Sequence, residues 1–131
     1  METWEKVTKN QIPQDEYRVS LQHGEEKGLE IQLLSESKQV TIFFGNISMF
    51  RVIEEGMALN DLFNCEEIGC LRSAGFPDVI YQIKKGEFYE FSKKIAGELC
   101  DLLELKHYVI ITMNYIIEVI TQWEPEITIN G

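Results

Sequence analysis

Apolar and polar side chains alternate in four short runs through the first half of the chain. In Tyr17–Leu21, Tyr17, Val19 and Leu21 fall on one side and Arg18 and Ser20 on the other. Leu29–Leu34 sets Leu29, Ile31 and Leu33 against Glu30 and Gln32, and Val40–Phe44 sets Val40, Ile42 and Phe44 against Thr41 and Phe43. Ile47–Ile53 resumes the pattern after the turn dipeptide Gly45-Asn46. A period of two separated by turn-rich stretches (His23–Gly28, Ser35–Lys38) predicts four antiparallel strands in a meander, with one apolar face to bury.

The densest run of β-branched and aromatic residues is Leu105–Ile129, a composition that suits a pleated, buried surface. A two-residue turn at Asn114-Tyr115 would make it a hairpin. Met113 would then face Ile116, Ile111 face Glu118, Val109 face Ile120 and His107 face Gln122. Tyr108, Ile110 and Thr112 would lie on the other side, against Thr121, Val119 and Ile117. Both faces are largely apolar, so the hairpin is expected at the centre of a sheet covered on both sides. Pro125 stops the second strand, and Glu126–Ile129 can add a short final one.

Between these blocks the pattern loosens. Met57–Cys65 reads as a weak helical turn, Glu66–Pro77 as irregular connection, and Asp78–Lys84 as a strand around Val79–Ile83. After Gly86, Phe88, Phe91, Ile95, Leu99 and Leu102 recur at intervals of three and four, which predicts a helix with that face inward. Glu90 and Lys94 are spaced for an i,i+4 pair. Gly97 is read as an interior glycine allowing close approach to the sheet. Ile110, Val119, Phe91, Ile95 and Leu99 are expected to share one core. At the N-terminus, Trp4 and Val7 suit one face of a short helical turn. Grouped strands and one strong helix predict an α+β chain: an antiparallel sheet, the N-terminal four-strand meander plus the C-terminal hairpin, packed against one main helix. With 131 residues and no linker-like stretch, residues 1–131 are expected to form a single domain.

Charge narrows the class of partner. Twelve Lys and Arg stand against 22 Asp and Glu, a net charge of −10. The excess is spread, with six basic and ten acidic residues in 1–56 and six and twelve in 57–131. Such a surface repels nucleic acid and anionic lipid and attracts a cationic protein. No apolar run reaches the roughly 18–20 residues of a membrane span, and the first residues lack the apolar core of a signal peptide. A cytoplasmic protein is expected. Cys65, Cys70 and Cys100 are an odd, sparse set and read as free thiols.

Motifs for catalysis, cofactors or metal are not evident, and the chain is expected to be non-enzymatic. His107 and Glu118 form the one polar pair in the apolar hairpin, although the register above separates them. Glu118 needs solvent, Arg51, Arg72 or a lysine as a partner. The acids in loops and on the polar helix face (Glu25, Glu26, Glu54, Glu55, Glu66, Glu67, Glu90 and Glu98) are the candidate contacts for a basic partner. Tyr89 and Trp123 are the candidate aromatic anchors.

Two sets of residues carry a family likeness. One is Tyr81…Phe91…Gly97…Leu105-Lys106-His107-Tyr108-Val109-Ile110…Thr112…Ile117-Glu118-Val119-Ile120…Glu124-Pro125-Glu126-Ile127. The other is Val40-Thr41-Ile42-Phe43-Phe44…Phe50-Arg51-Val52-Ile53-Glu54-Glu55-Gly56 upstream. Together, over residues 40–127, they resemble small uncharacterised bacterial proteins of the Bacillus type, many of which occur among the immunity partners of polymorphic toxins. The resemblance implies an acidic position in the final hairpin, matched by Glu118, and a serine opening the main helix, where this chain has Gly86. It implies no catalytic residue. The expected function is a non-enzymatic protein-binding domain, an immunity or inhibitor protein for a basic partner. The alternative is a small-ligand domain with a pocket between sheet and helix.

Overall fold

The computed structural model describes residues 3–7, 12–13, 15–54, 79–84, 87–97, 104–112 and 114–130. The strands are β1 (Thr3–Lys6), β2 (Arg18–Gly24), β3 (Gly28–Leu34), β4 (Gln39–Gly45), β5 (Met49–Glu54), β6 (Ile80–Lys84), β7 (Lys106–Ile111), β8 (Tyr115–Thr121) and β9 (Glu126–Asn130), with one helix, α1 (Glu87–Ala96), between β6 and β7. They form two sheets, in the orders β1-β6-β7-β8-β5 and β2-β3-β4-β9. Every described pairing is antiparallel. The class is α+β, as the grouping of strands indicated.

The expected meander stops one strand early. β2, β3 and β4 pair in sequence, but β5 crosses to the other sheet and pairs with β8, while β9 takes the place beside β4. Alternation along β2–β4 leaves one apolar face, and a second sheet covers it more completely than one helix could. Leu29, Ile31, Leu33, Val40, Ile42 and Phe44 from the four-stranded sheet join Ile80, Tyr108, Ile110, Ile117 and Val119 from the five-stranded one in a single buried cluster. Tyr17 closes it at one margin, its hydroxyl donating to the Pro13 carbonyl at 2.7 Å.

Where β4 leaves for β5, the passage is pinned to β8. Ser48 N–H donates to Ile120 O at 2.9 Å, and the Thr121 hydroxyl donates to Asn46 O at 3.3 Å. Gly28 is required nearby: its φ is +75°, and a Cβ there would lie 2.1 Å from the Gly45 carbonyl oxygen.

β7 and β8 sit at the centre of their sheet, as their two apolar faces predicted, but in another register. Ile111 faces Ile116, Val109 faces Glu118, and His107 faces Ile120. Tyr115 opens β8 instead of belonging to the turn, which closes between Thr112 and Tyr115. Thr112 selects it, since its hydroxyl donates to Tyr115 O at 2.7 Å and accepts from Tyr115 N–H at 3.1 Å. The register moves by two, so every side chain keeps its face.

Other expectations are corrected. Thr3–Lys6 is not a helical turn but a strand, paired with β6 from Thr3↔Lys84 to Lys6↔Tyr81. Phe91 and Ile95 do not join the core: they are 53% and 62% exposed, while Phe88 and Ser92 are the buried side chains of α1. Ile110 and Val119 are buried, but on the face turned away from α1, against the other sheet. Gly97 is not interior: it ends the helix at φ +59°, its N–H donating to Lys93 O at 2.9 Å. A Cβ there would meet nothing, so it serves chain direction instead of a close approach. Leu99, Leu102, Met57–Cys65 and Glu66–Pro77 lie outside the described residues. Among the described residues no helix is long and apolar enough to cross a membrane.

Candidate functional site

On the α1 side of the five-stranded sheet, alternate residues of four strands make two rows: Tyr81, Val109, Glu118 and Arg51, then Ile83, His107, Ile120 and Met49. The observed register sets His107 and Glu118 on a diagonal between adjacent strands, within reach of each other. His107 Nε2 and Glu118 Oε1 are 2.9 Å apart, and Arg51 Nε donates to Glu118 Oε2. Arg51 is thus the partner that Glu118 finds among those open to it. The carboxylate and imidazole side chains are each 1% exposed, while the arginine, on an edge strand, is 31% exposed.

Both carboxylate oxygens are therefore engaged, which a charge held this far from water requires. An ionised carboxylate can only accept, so Nε2 carries the proton in this contact. Nδ1 is buried and has no hydrogen-bond partner among the described residues. Phe88 packs over this group. Its ring meets His107 edge-on at 5.8 Å, and the Arg51 guanidinium carbon lies 4.5 Å from its centroid. A carboxylate-backed imidazole is the chemistry of a general base, but in this arrangement a substrate has no approach to it. The bracket joins three strands and the helix.

Acids collect in a second place, at the β2–β3 hairpin. Gln22, His23, Gly24, Glu25, Glu26, Lys27, Gly28, Glu30 and Phe43 line an open cleft of about 550 Å³. Register explains it: Gln22, Glu30, Phe43 and Glu126 are successive neighbours across the four strands, on the face away from the core. A bulge at Leu29/Glu30 lies beside this row. Phe43 is exposed, flanked on both neighbouring strands by a carboxylate. Phe43, Glu30 and Glu126 had not been singled out. The signal was a phenylalanine in the polar phase of an alternating strand.

The remaining candidates scatter. Glu54 ends β5 opposite Tyr115, whereas exposed Trp123 follows the far end of β8, a strand length of about 20 Å away. Glu90 and half-buried Tyr89 lie on α1. Lys93, not Lys94, pairs with Glu90 at 4.0 Å, and its ammonium sits 5.8 Å from the Tyr89 ring centre. Glu55, Glu66, Glu67, Glu98 and the three cysteines, Cys65, Cys70 and Cys100, lie outside the described residues. Among the described residues no three His, Cys, Asp or Glu side chains are placed to hold a metal ion. Comparison of the chain with protein-family models, curated proteins and solved structures finds no match.

Proposed function

We propose that the protein is a non-catalytic, cytosolic binding domain whose partner is a basic protein, and that it acts as an inhibitor or immunity protein does, by occupying that partner. The observation that carries this reading is the hairpin cleft. Glu25, Glu26 and Glu30 stand against Lys27 alone among its charged lining, and the exposed Phe43 ring forms one wall. A lysine or arginine side chain fits that chemistry, with its charge opposite carboxylates and its stem or guanidinium against the ring. The net charge of −10 adds long-range attraction to the same partner.

The test is capture of partners from native cytosol on the full chain, in parallel with Phe43→Ala and with the pair Glu25→Lys and Glu26→Lys. Association kinetics follow for whichever protein is retained. Charge reversal is expected to slow association and flatten its salt dependence, and Phe43→Ala to speed dissociation. A partner bound equally by all three chains, at a rate indifferent to salt, rules the cleft out. The runner-up is a small-ligand domain. The cleft's volume falls within the roughly 300–1,000 Å³ of small-molecule sites, although it lies at a hairpin and not between sheet and helix. Native mass spectrometry separates the two, since a retained small molecule, lost in Phe43→Ala, favours the ligand reading.

A further inference from the structure

We infer that α1 is a hinged cover over the Glu118–His107 pair, opening locally while both sheets stay folded. The helix has ten residues, too short to persist once detached. Of its described side chains only Phe88 and Ser92 are buried. Ser92 spends its hydroxyl within the helix, donating to Tyr89 O at 2.6 Å. Phe91 and Ile95, the residues that would extend an apolar contact along the sheet, point to solvent. Among the described residues, docking therefore depends chiefly on one buried ring, Phe88, which contacts both the Arg51 guanidinium and the His107 ring.

That docking carries an opposing term. With Phe88 in place His107 Nδ1 is sealed from water without a partner among the described residues. An unmet buried polar nitrogen costs an amount comparable to what one buried aromatic ring contributes. The closed state is thus favoured by a difference of similar terms, the condition for opening well below global unfolding. Opening hydrates Nδ1 and bares an imidazole whose other nitrogen is held by a carboxylate, with a partly exposed arginine beside it. The open state offers an imidazole nitrogen and a cation side by side, a pairing that fits a small acid. This inference is independent of the hairpin cleft.

The chain's two histidines make the test internal, because His23 is exposed and reports reagent activity while His107 reports opening. The full-length protein is acylated with diethyl pyrocarbonate and the two sites are followed by peptide mass spectrometry, across denaturant concentrations below the unfolding transition. His107 is expected to react slowly at a rate that low denaturant barely changes, the signature of local opening. Phe88→Ala is expected to raise the His107-to-His23 ratio roughly tenfold or more, with amide exchange accelerated in α1 and unchanged in β7 and β8. A His107 rate that rises with denaturant in step with global unfolding overturns the inference, as does a ratio unmoved in a folded Phe88→Ala chain. The wild-type measurement decides the matter even if that variant does not fold.

Discussion

Single positions in this fold differ sharply in how they are held, and Glu118 shows why. Its carboxylate is nearly sealed from water, whereas Arg51 sits on an edge strand with a third of its side chain in solvent. Removing the arginine strands a buried charge; removing the glutamate leaves a cation that can turn outward. Arg51→Met is therefore expected to cost about 3–5 kcal/mol, and more than Glu118→Leu, in chemical denaturation. The reverse order would mean that the imidazole, not the arginine, neutralises the carboxylate. Gly28 is constrained by backbone alone, and Gly28→Ala should lose more than about 1 kcal/mol through strain and the clash with Gly45. A melting temperature unchanged by that substitution would show that the hairpin relaxes freely. Neither dependence was fully visible in the sequence. Glycine in a turn is commonplace there, and the acid among apolar residues announced a need for a partner, with Arg51 one of several open to it.

At the scale of elements, strand existence was legible apart from β1, and strand placement was not. Alternation marks which side chains share a face, and that held through β2, β3, β4, β7 and β8. A shift of two residues preserves every face, so alternation is blind to it. The turn chemistry of Thr112 and the reach of His107 to Glu118 separate the two registers. Thr112→Val keeps the shape and deletes the side-chain bonds to Tyr115, at an expected cost of about 0.5–1.5 kcal/mol. Loss of the His107–Glu118 hydrogen bond in the NMR spectrum of that variant would reveal a register slip, which is not expected while the bracket is intact. The helix was legible by its period, but the period does not say how far the helix lies along the sheet. That is why Phe88 is buried while Phe91 and Ile95, on the same stripe, are not. β1 was missed because a strand of four residues carries little pattern and is held by pairing with β6.

For the molecule as a whole, stability is concentrated between the sheets. Ile110→Ala empties a fully buried site in that layer and should cost about 2–5 kcal/mol. Phe91→Ser, on the exposed side of α1, should stay within about 0.5 kcal/mol of wild type. Tyr108 lies in the same layer, its ring 5.7 Å from that of Phe44. Burial, with a smaller push from the charge of Glu124, raises its hydroxyl from 10.0 to about 12. The unfolded chain then gives up this proton at lower pH than the folded one. The tyrosine's contribution is whole below about pH 10 and is lost as pH rises toward about 12. Tyr108→Phe should remove that part of the alkaline decline in a pH series of denaturation midpoints. An unchanged decline would place its origin elsewhere.

The exchange of strands between sheets also sets an order in time. A chain emerging from the ribosome presents β4 long before β9, so the four-stranded sheet waits with a bare edge until nearly all of the described sequence is out. The five-stranded sheet likewise cannot seat β5 until β8 exists. Neither layer can mature first and serve as a template for the other; the newborn chain commits late and all at once. During that interval the edge of β4, with Val40, Ile42 and Phe44 behind it, is open to pairing with another nascent chain. Chains ending at Glu124 freeze that moment, and light scattering should show them associating as concentration rises while the longer chain does not.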